Sequence, residues 1–276
     1  MTSYKNIIVG TLLLATLVLS AITITRAFKP TGVRASSNQS QGKGKLDVQP
    51  AAVDIIDSAP DPKDLRERAK RIAKNSRYDK NDKRARRLTE LPSGGGAVYG
   101  NEQPPPVAVP VKESDAIVIG RVTKAQPYLT ATETSMYTEL NVSVEQVLKN
   151  EGIPSAAVGS SLTVDREAGA MRLPNGRVIH YETGGLGSIP RNGHRYLLFL
   201  KRIHDGTDIT IVTGYELRSG KVFPLDGEAH IFDPATGQII RKAPFEGVEE
   251  SSFLAIVQSA MANPSRVVTP GWRLKK

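Results

Sequence analysis

From residue 111 onward apolar residues recur at every second position, in short runs rich in Val, Ile, Thr and Tyr and broken by Gly, Pro, Asn and Asp. Period two puts alternate side chains on opposite faces of a strand, so this half of the chain is constrained to β structure. Residues 116–122 read as a strongly apolar, largely buried strand. Residues 136–148 alternate, with Leu140, Val142 and Val144 on one face and Glu139, Asn141, Ser143 and Glu145 on the other. Shorter strands follow at 161–164, 196–200 and 208–213. Residues 171–173 and 177–181 flank Pro174-Asn175-Gly176 as a hairpin, and a last small hairpin joins 231–232 to 239–240. With no helix between them, these strands predict antiparallel pairing and a small barrel in a mainly β domain over 111–242. Residues 249–261, with Phe253, Ile256, Val257, Ala260 and Met261 at helical spacing before Pro264, predict a C-terminal helix that plugs an end or covers a face of the barrel, within a helix and tail at 243–276.

The first 110 residues have a different character. Residues 7–24 run without a charge behind Lys5, the pattern of an export signal. Eighteen helical residues span about 27 Å, just short of a hydrocarbon core of about 30 Å. Thr25 and Ala27 suit cleavage whereas Arg26 disfavours it, so residues 1–27 read as a signal peptide or a membrane anchor, an N-terminal apolar helix in either case. Residues 28–110 read as a disordered linker, polar and Gly/Pro-rich, interrupted by a basic helix at 61–88. Asp61 is its expected cap, and Leu65, Ala69, Ile72 and Ala73 form its apolar stripe. Twelve Lys/Arg stand against six Asp/Glu in residues 61–90, and twenty-five against twenty-two elsewhere. The net charge of +9 is therefore mostly local, and it describes a tether rather than a nucleic-acid-binding fold.

Ser114-Asp115-Ala116-Ile117-Val118-Ile119-Gly120-Arg121-Val122, then Tyr137-Thr138, Val147-Leu148-Lys149 and Gly193 before Tyr196-Leu197-Leu198-Phe199-Leu200, resemble a recurrent domain of exported bacterial proteins. That domain is similar to OB-type and netrin-like barrels, such as the inhibitory domain of tissue inhibitors of metalloproteinases. The resemblance covers residues 111–225 and implies a fold. Those inhibitors chelate the enzyme metal through an N-terminal cysteine, and this chain has no cysteine, so no site residue is implied.

The absence of cysteine excludes disulfides, thiolate zinc sites and cysteine nucleophiles. The four histidines, His180, His194, His204 and His230, form no HxxxH or HExxH pattern, and neither a metal nor a cofactor is expected. Gly184, Gly185 and Gly187 neither follow a strand nor open a helix, and Ser188 lacks the G-x-S-x-G elbow. This glycine-rich stretch reads as a mobile loop carrying a ligand contact, Gly184, Gly185, Gly187 and Ser188. Arg84, Arg86 and Arg87 are the expected surface-binding residues. The reading is an exported or membrane-tethered, non-catalytic binding or assembly module of the cell envelope, placed in the periplasm or outside the cell. Its expected partner is a protein or envelope component, with an anionic membrane surface as a further contact and no nucleic acid. The alternative is an atypical hydrolase or metal-dependent enzyme, which requires an acid, base and nucleophile to converge in space.

Overall fold

The protein is described by a computed structural model over residues 54–79, 86–91, 96–99, 107–183, 189–203, 208–226, 229–233 and 238–264. All of these lie in one unit of the chain, 49–276. Residues 7–24, read as an export signal, and Gly184, Gly185, Gly187, Ser188 and Arg84 lie outside the described residues.

In chain order the elements are β1 (Ile56–Asp57), α1 (Leu65–Tyr78), a 3-10 turn (Leu88–Glu90), β2 (Gly96–Tyr99), β3 (Ala116–Leu129), β4 (Met136–Asn150), β5 (Ser161–Glu167), β6 (Gly169–Arg172) and β7 (Val178–Thr183). They continue with β8 (Arg195–Ile203), β9 (Asp208–Arg218), β10 (Lys221–Pro224), β11 (Ala229–Asp233), β12 (Gln238–Lys242) and α2 (Glu250–Ala262). The described chain is mainly β. A six-stranded sheet is ordered β10-β9-β5-β4-β3-β8 with a further β8–β9 pairing, and a four-stranded sheet is ordered β1-β6-β7-β2. β11 and β12 form a separate hairpin. Within the larger sheet β3 runs antiparallel to β4 and β8, β4 to β5, and β8 to β9. β5 meets β9 in parallel at Asp165 and Thr210, so β3, β4, β5, β8 and β9 each have a neighbour on both sides. None of the described helices is long and apolar enough to cross a membrane.

The continuous apolar runs of β3 and β8 have a packing cause. Ala116, Val118, Leu198 and Leu200 face a core shared with Leu140, Val142, Leu162, Val164 and Ile211. Their sequence neighbours Ile117, Ile119, Leu197 and Phe199 face the other way and pack with Tyr215 and Val222 against Phe253, Val257 and Ala260 of α2. Strands covered on both faces have no solvent side, so the alternation disappears. β4 has one half-exposed face through its middle, and there the alternation reads cleanly.

Register shifts at Ile117/Val118, Ile119/Gly120 and Val122/Lys124 bend β3, which runs seven residues beyond the expected strand end at Val122. At Gly120 an added Cβ would lie 2.6 Å from both the Ser143 carbonyl oxygen and Val142 Cγ1. Backbone cannot yield as a flexible side chain does, so Gly120→Ala should destabilise by about 1–3 kcal/mol, read as a lower denaturant midpoint.

Two strands arise where the sequence reads as linker. Ile56 and Asp57 run parallel to Met171 and Arg172, and Gly96–Tyr99 runs parallel to residues 180–183 of β7. Strands of two and four residues are too short to carry a periodic signal, and their partners lie some 80 to 115 residues away.

Candidate functional site

Helix α1 begins at Leu65, later than expected, because Asp64 rather than Asp61 caps it: the Asp64 side chain accepts from the Arg66 amide at 3.0 Å. The larger departure concerns which side of the helix is covered. Leu65 and Ile72 on the apolar stripe are 75% and 59% exposed. The opposite side, Arg71, Lys74, Asn75 and Tyr78 at i, i+3, i+4 and i+7, faces the β unit. The segment read as a basic helix within a linker is thus held by its polar side.

That side meets three carboxylates from three strands. Glu139 on β4 lies directly opposite Asp165 on β5, and Asp208 opens β9 beside them. Lys74 Nζ donates to Glu139 and lies 3.7 Å from both Asp165 and Asp208. Arg77 donates to Asp165 at 3.2 Å and pairs with Asp208. The Tyr78 hydroxyl donates to Asp165 at 2.7 Å, while its ring stacks on Tyr137 with centroids 4.9 Å apart. Arg71 lies over the Tyr128 ring, 4.4 Å from its centroid, and Asp79 accepts from the Thr132 hydroxyl at 2.6 Å. Like charges directly opposite on a sheet destabilise it, so Glu139 and Asp165 depend on the cations that α1 places between them.

The titration directions follow from burial and charge. Burial alone would lower the Lys74 ammonium, but the hydrogen bond and charge of Glu139, with Asp165 and Asp208, leave it above its ordinary value. Burial raises the Asp165 carboxyl even though Tyr78, Lys74 and Arg77 oppose it. Burial also raises the Tyr78 phenol, helped by the Asp165 charge. The fit is incomplete: the Asn75 side-chain oxygen and the Tyr137 hydroxyl are buried without a hydrogen-bond partner. A buried polar group left unpaired costs roughly 1–3 kcal/mol.

A second set of ionic contacts ties the turn before β8 to β9, and the first residue of β8 to β4 and α2. His194 Nδ1 lies 2.7 Å from a Glu216 carboxylate oxygen that also accepts from Arg191 at 2.8 Å, and Arg195 bridges Glu145 and Glu250 at 2.8 and 2.7 Å. Among the described residues no group of three or more His, Asp or Glu is placed to hold a metal ion. Arg86 and Arg87 are exposed just ahead of the buried Leu88, and the structure does not bring them to the carboxylate cluster. The residues that meet at the cluster, Lys74, Arg77, Tyr78, Glu139, Asp165 and Asp208, were not singled out from sequence. Lys74 and Tyr78 do sit at i, i+4, but the apolar stripe pointed to the other side of the helix.

Compared with protein-family models, curated proteins and solved structures, the chain matches none at a significant level.

Buried tyrosines supply an alkaline prediction. Burial raises Tyr78, Tyr137 and Tyr215 well above the ordinary phenol, and Tyr196 to about 12. A folded-state value above the unfolded 10.0 contributes stability that is present below pH 10.0 and lost as pH climbs toward the folded value. Unfolding midpoints should therefore hold up to about pH 9.5 and fall steeply toward pH 12. In an absorbance titration these four of the eight tyrosines should ionise only as the protein unfolds.

Proposed function

We propose that the chain is an exported or membrane-tethered binding module of the cell envelope that works without catalysis, acting in the periplasm or outside the cell. The observation that carries this reading is the surface on β4, β5 and β9, where three strands present carboxylates that hold a charged helix by its side chains. Such a surface recognises a charged segment, and its chemistry is complementarity rather than bond-making. Residues 7–24 support export, by the length and charge pattern of that run. The circuit of β3, β4, β5, β8 and β9 supports a small closed barrel of OB or netrin-like type, with α2 on its outside. Gly184, Gly185, Gly187 and Ser188 are retained as a ligand contact, and Arg84, Arg86 and Arg87 as a contact with an anionic surface.

A reporter active only outside the cytoplasm, fused after Pro110, should be active in bacteria; activity confined to the cytoplasm overturns the export reading. For the surface contact, protein comprising residues 28–276 should bind anionic vesicles at low salt, release as salt rises, and ignore neutral vesicles. Near an anionic surface each Lys or Arg contributes about 1 kcal/mol, so Arg84→Ala/Arg86→Ala/Arg87→Ala should weaken vesicle binding by roughly tenfold to a hundredfold. Binding that is indifferent to salt would show these arginines to be a soluble spacer.

A further inference from the structure

We propose that Glu139, Asp165 and Asp208, together with Tyr137, form a recognition site for a cationic helical segment of a partner protein carrying Lys-x-x-Arg-Tyr spacing, and that α1 fills this site in cis as a displaceable occupant. The inference rests on the binding-module reading and names the class of partner.

Four observations carry it. The carboxylates converge from three strands, two of them directly opposite each other, an arrangement that calls for a cation between them. Lys74, Arg77 and Tyr78 supply that complement from a single helix face: an ammonium among the three acids, a guanidinium on Asp165 and Asp208, and a phenol on Asp165. The helix also seats imperfectly. The Tyr137 hydroxyl, on a side chain with no exposure, is buried in the site without a partner, as is the Asn75 side-chain oxygen on the docked face of α1. A segment with a donor or acceptor placed for these atoms would sit better than α1 does. Finally, the hold is ionic and aromatic rather than apolar. Leu65 and Ile72 already face solvent, so release of α1 uncovers only Tyr78 among its large nonpolar groups. A competitor therefore has the charge contacts, the Tyr78 stack on Tyr137, the Arg71 contact over Tyr128 and the Asp79–Thr132 hydrogen bond to replace, with no aliphatic interface to break.

The same geometry explains why a binding surface would carry its own ligand. Tethering raises the local concentration of α1, so a weak or non-specific cation does not displace it and only a better-matched segment does. Exposed, unpaired carboxylates are also kept from indiscriminate contacts in the meantime.

The test uses the full-length chain and a labelled peptide of residues 61–79. Lys74→Glu/Arg77→Glu, made in the protein, should empty the site and bind the peptide at least about tenfold more tightly than the wild type, whose site is filled in cis. Binding should weaken with salt. It should be lost when Asp165→Asn is added to the protein, or when the peptide itself carries the two glutamates. A double variant that keeps the wild-type β spectrum but binds the peptide no better than wild type overturns the proposal. Should the double variant fail to fold, native-state hydrogen exchange on the wild type decides. Amides of α1 exchanging at least about tenfold faster than those of β4 support a displaceable helix, and equal rates make α1 an integral part of the fold and overturn it. A wild-type dimer that disappears in the double variant would assign the site to a second copy of the chain and overturn the partner. These readouts do not depend on where the protein resides, so they stay separate from the reporter result.

Discussion

Asp226→Ala should destabilise the protein by about 3–5 kcal/mol, one of the largest effects of any single polar substitution in the chain. Arg166 and Asp226 pair with only 2% of each side chain exposed, and the Thr213 hydroxyl donates to the second carboxylate oxygen at 2.7 Å. Arg166 stands on β5 in register with Val164 and Leu162, whose side chains enter the main core. Its Nε and Nη1 are buried without partners, so the carboxylate of Asp226 is its one described counterion. Removing that carboxylate leaves a guanidinium in apolar surroundings, and desolvation is then uncompensated. The double variant Arg166→Met/Asp226→Leu should recover most of the loss, because neither charge remains to be desolvated. The Thr213 hydroxyl would still lose its acceptor, at about 1 kcal/mol. Denaturant melts of the three proteins form the check. A loss below about 1 kcal/mol for Asp226→Ala would show the pair to be solvated.

Phe253→Ala should cost about 3–5 kcal/mol by a different route, through cavity and lost burial. Phe253 has no exposed surface; its ring centroid lies 4.3 Å from that of Tyr215 and 5.2 Å from that of Phe245. With Val257 and Ala260 it is the buried side of α2, and these three close over the outer faces of β3 and β8. Truncating the ring opens a void against Tyr215 and loosens the cover over Ile117, Ile119, Leu197 and Phe199. Phe253→Leu, closer in volume, should cost less than about 1.5 kcal/mol. The urea midpoint should fall in that order, and a hydrophobic dye should bind the alanine variant well before global unfolding. Equal midpoints for wild type and Phe253→Ala would mean that α2 does not cover the sheet.

Much of the second half is legible in the chain alone, and for local reasons. The alternation of 136–148 identifies which residues of β4 face the core, since period two is a property of the strand itself. The turn Pro174-Asn175-Gly176 is likewise a local signal: Gly176 takes a positive φ of 81°, which glycine adopts without strain. Phe253, Val257 and Ala260 at i, i+4 and i+7 fall on one face of a helix that ends before Pro264, as their spacing predicts. The candidate site was not legible in this way. Glu139 showed as a polar residue on the open face of its strand, but Asp165 lay one residue past the expected end of its own. Nothing near Asp208 marks it as a partner of Lys74 or Arg77.

Helix α1 separates the two kinds of information most clearly. Residue spacing by itself determined that a helix forms there and which side chains share a face, because both follow from 3.6 residues per turn. It also determined strand identity through the β half, through the period of each segment. Which face of α1 is covered was decided only by tertiary structure. Burying Leu65 and Ile72 is worth roughly 1.5–3 kcal/mol each, enough to choose the face if the helix stood beside an ordinary apolar surface. It stands instead beside Glu139, Asp165 and Asp208, brought together by the antiparallel register of β4 with β5 and the parallel contact of β5 with β9. Stranding the buried Asp165 without its cations costs about 3–5 kcal/mol, and the repulsion of Glu139 and Asp208 adds to it, so the cationic face turns inward. Those acids lie 65 to 131 residues from their cations, a separation at which no local pattern in the chain can specify the pairing.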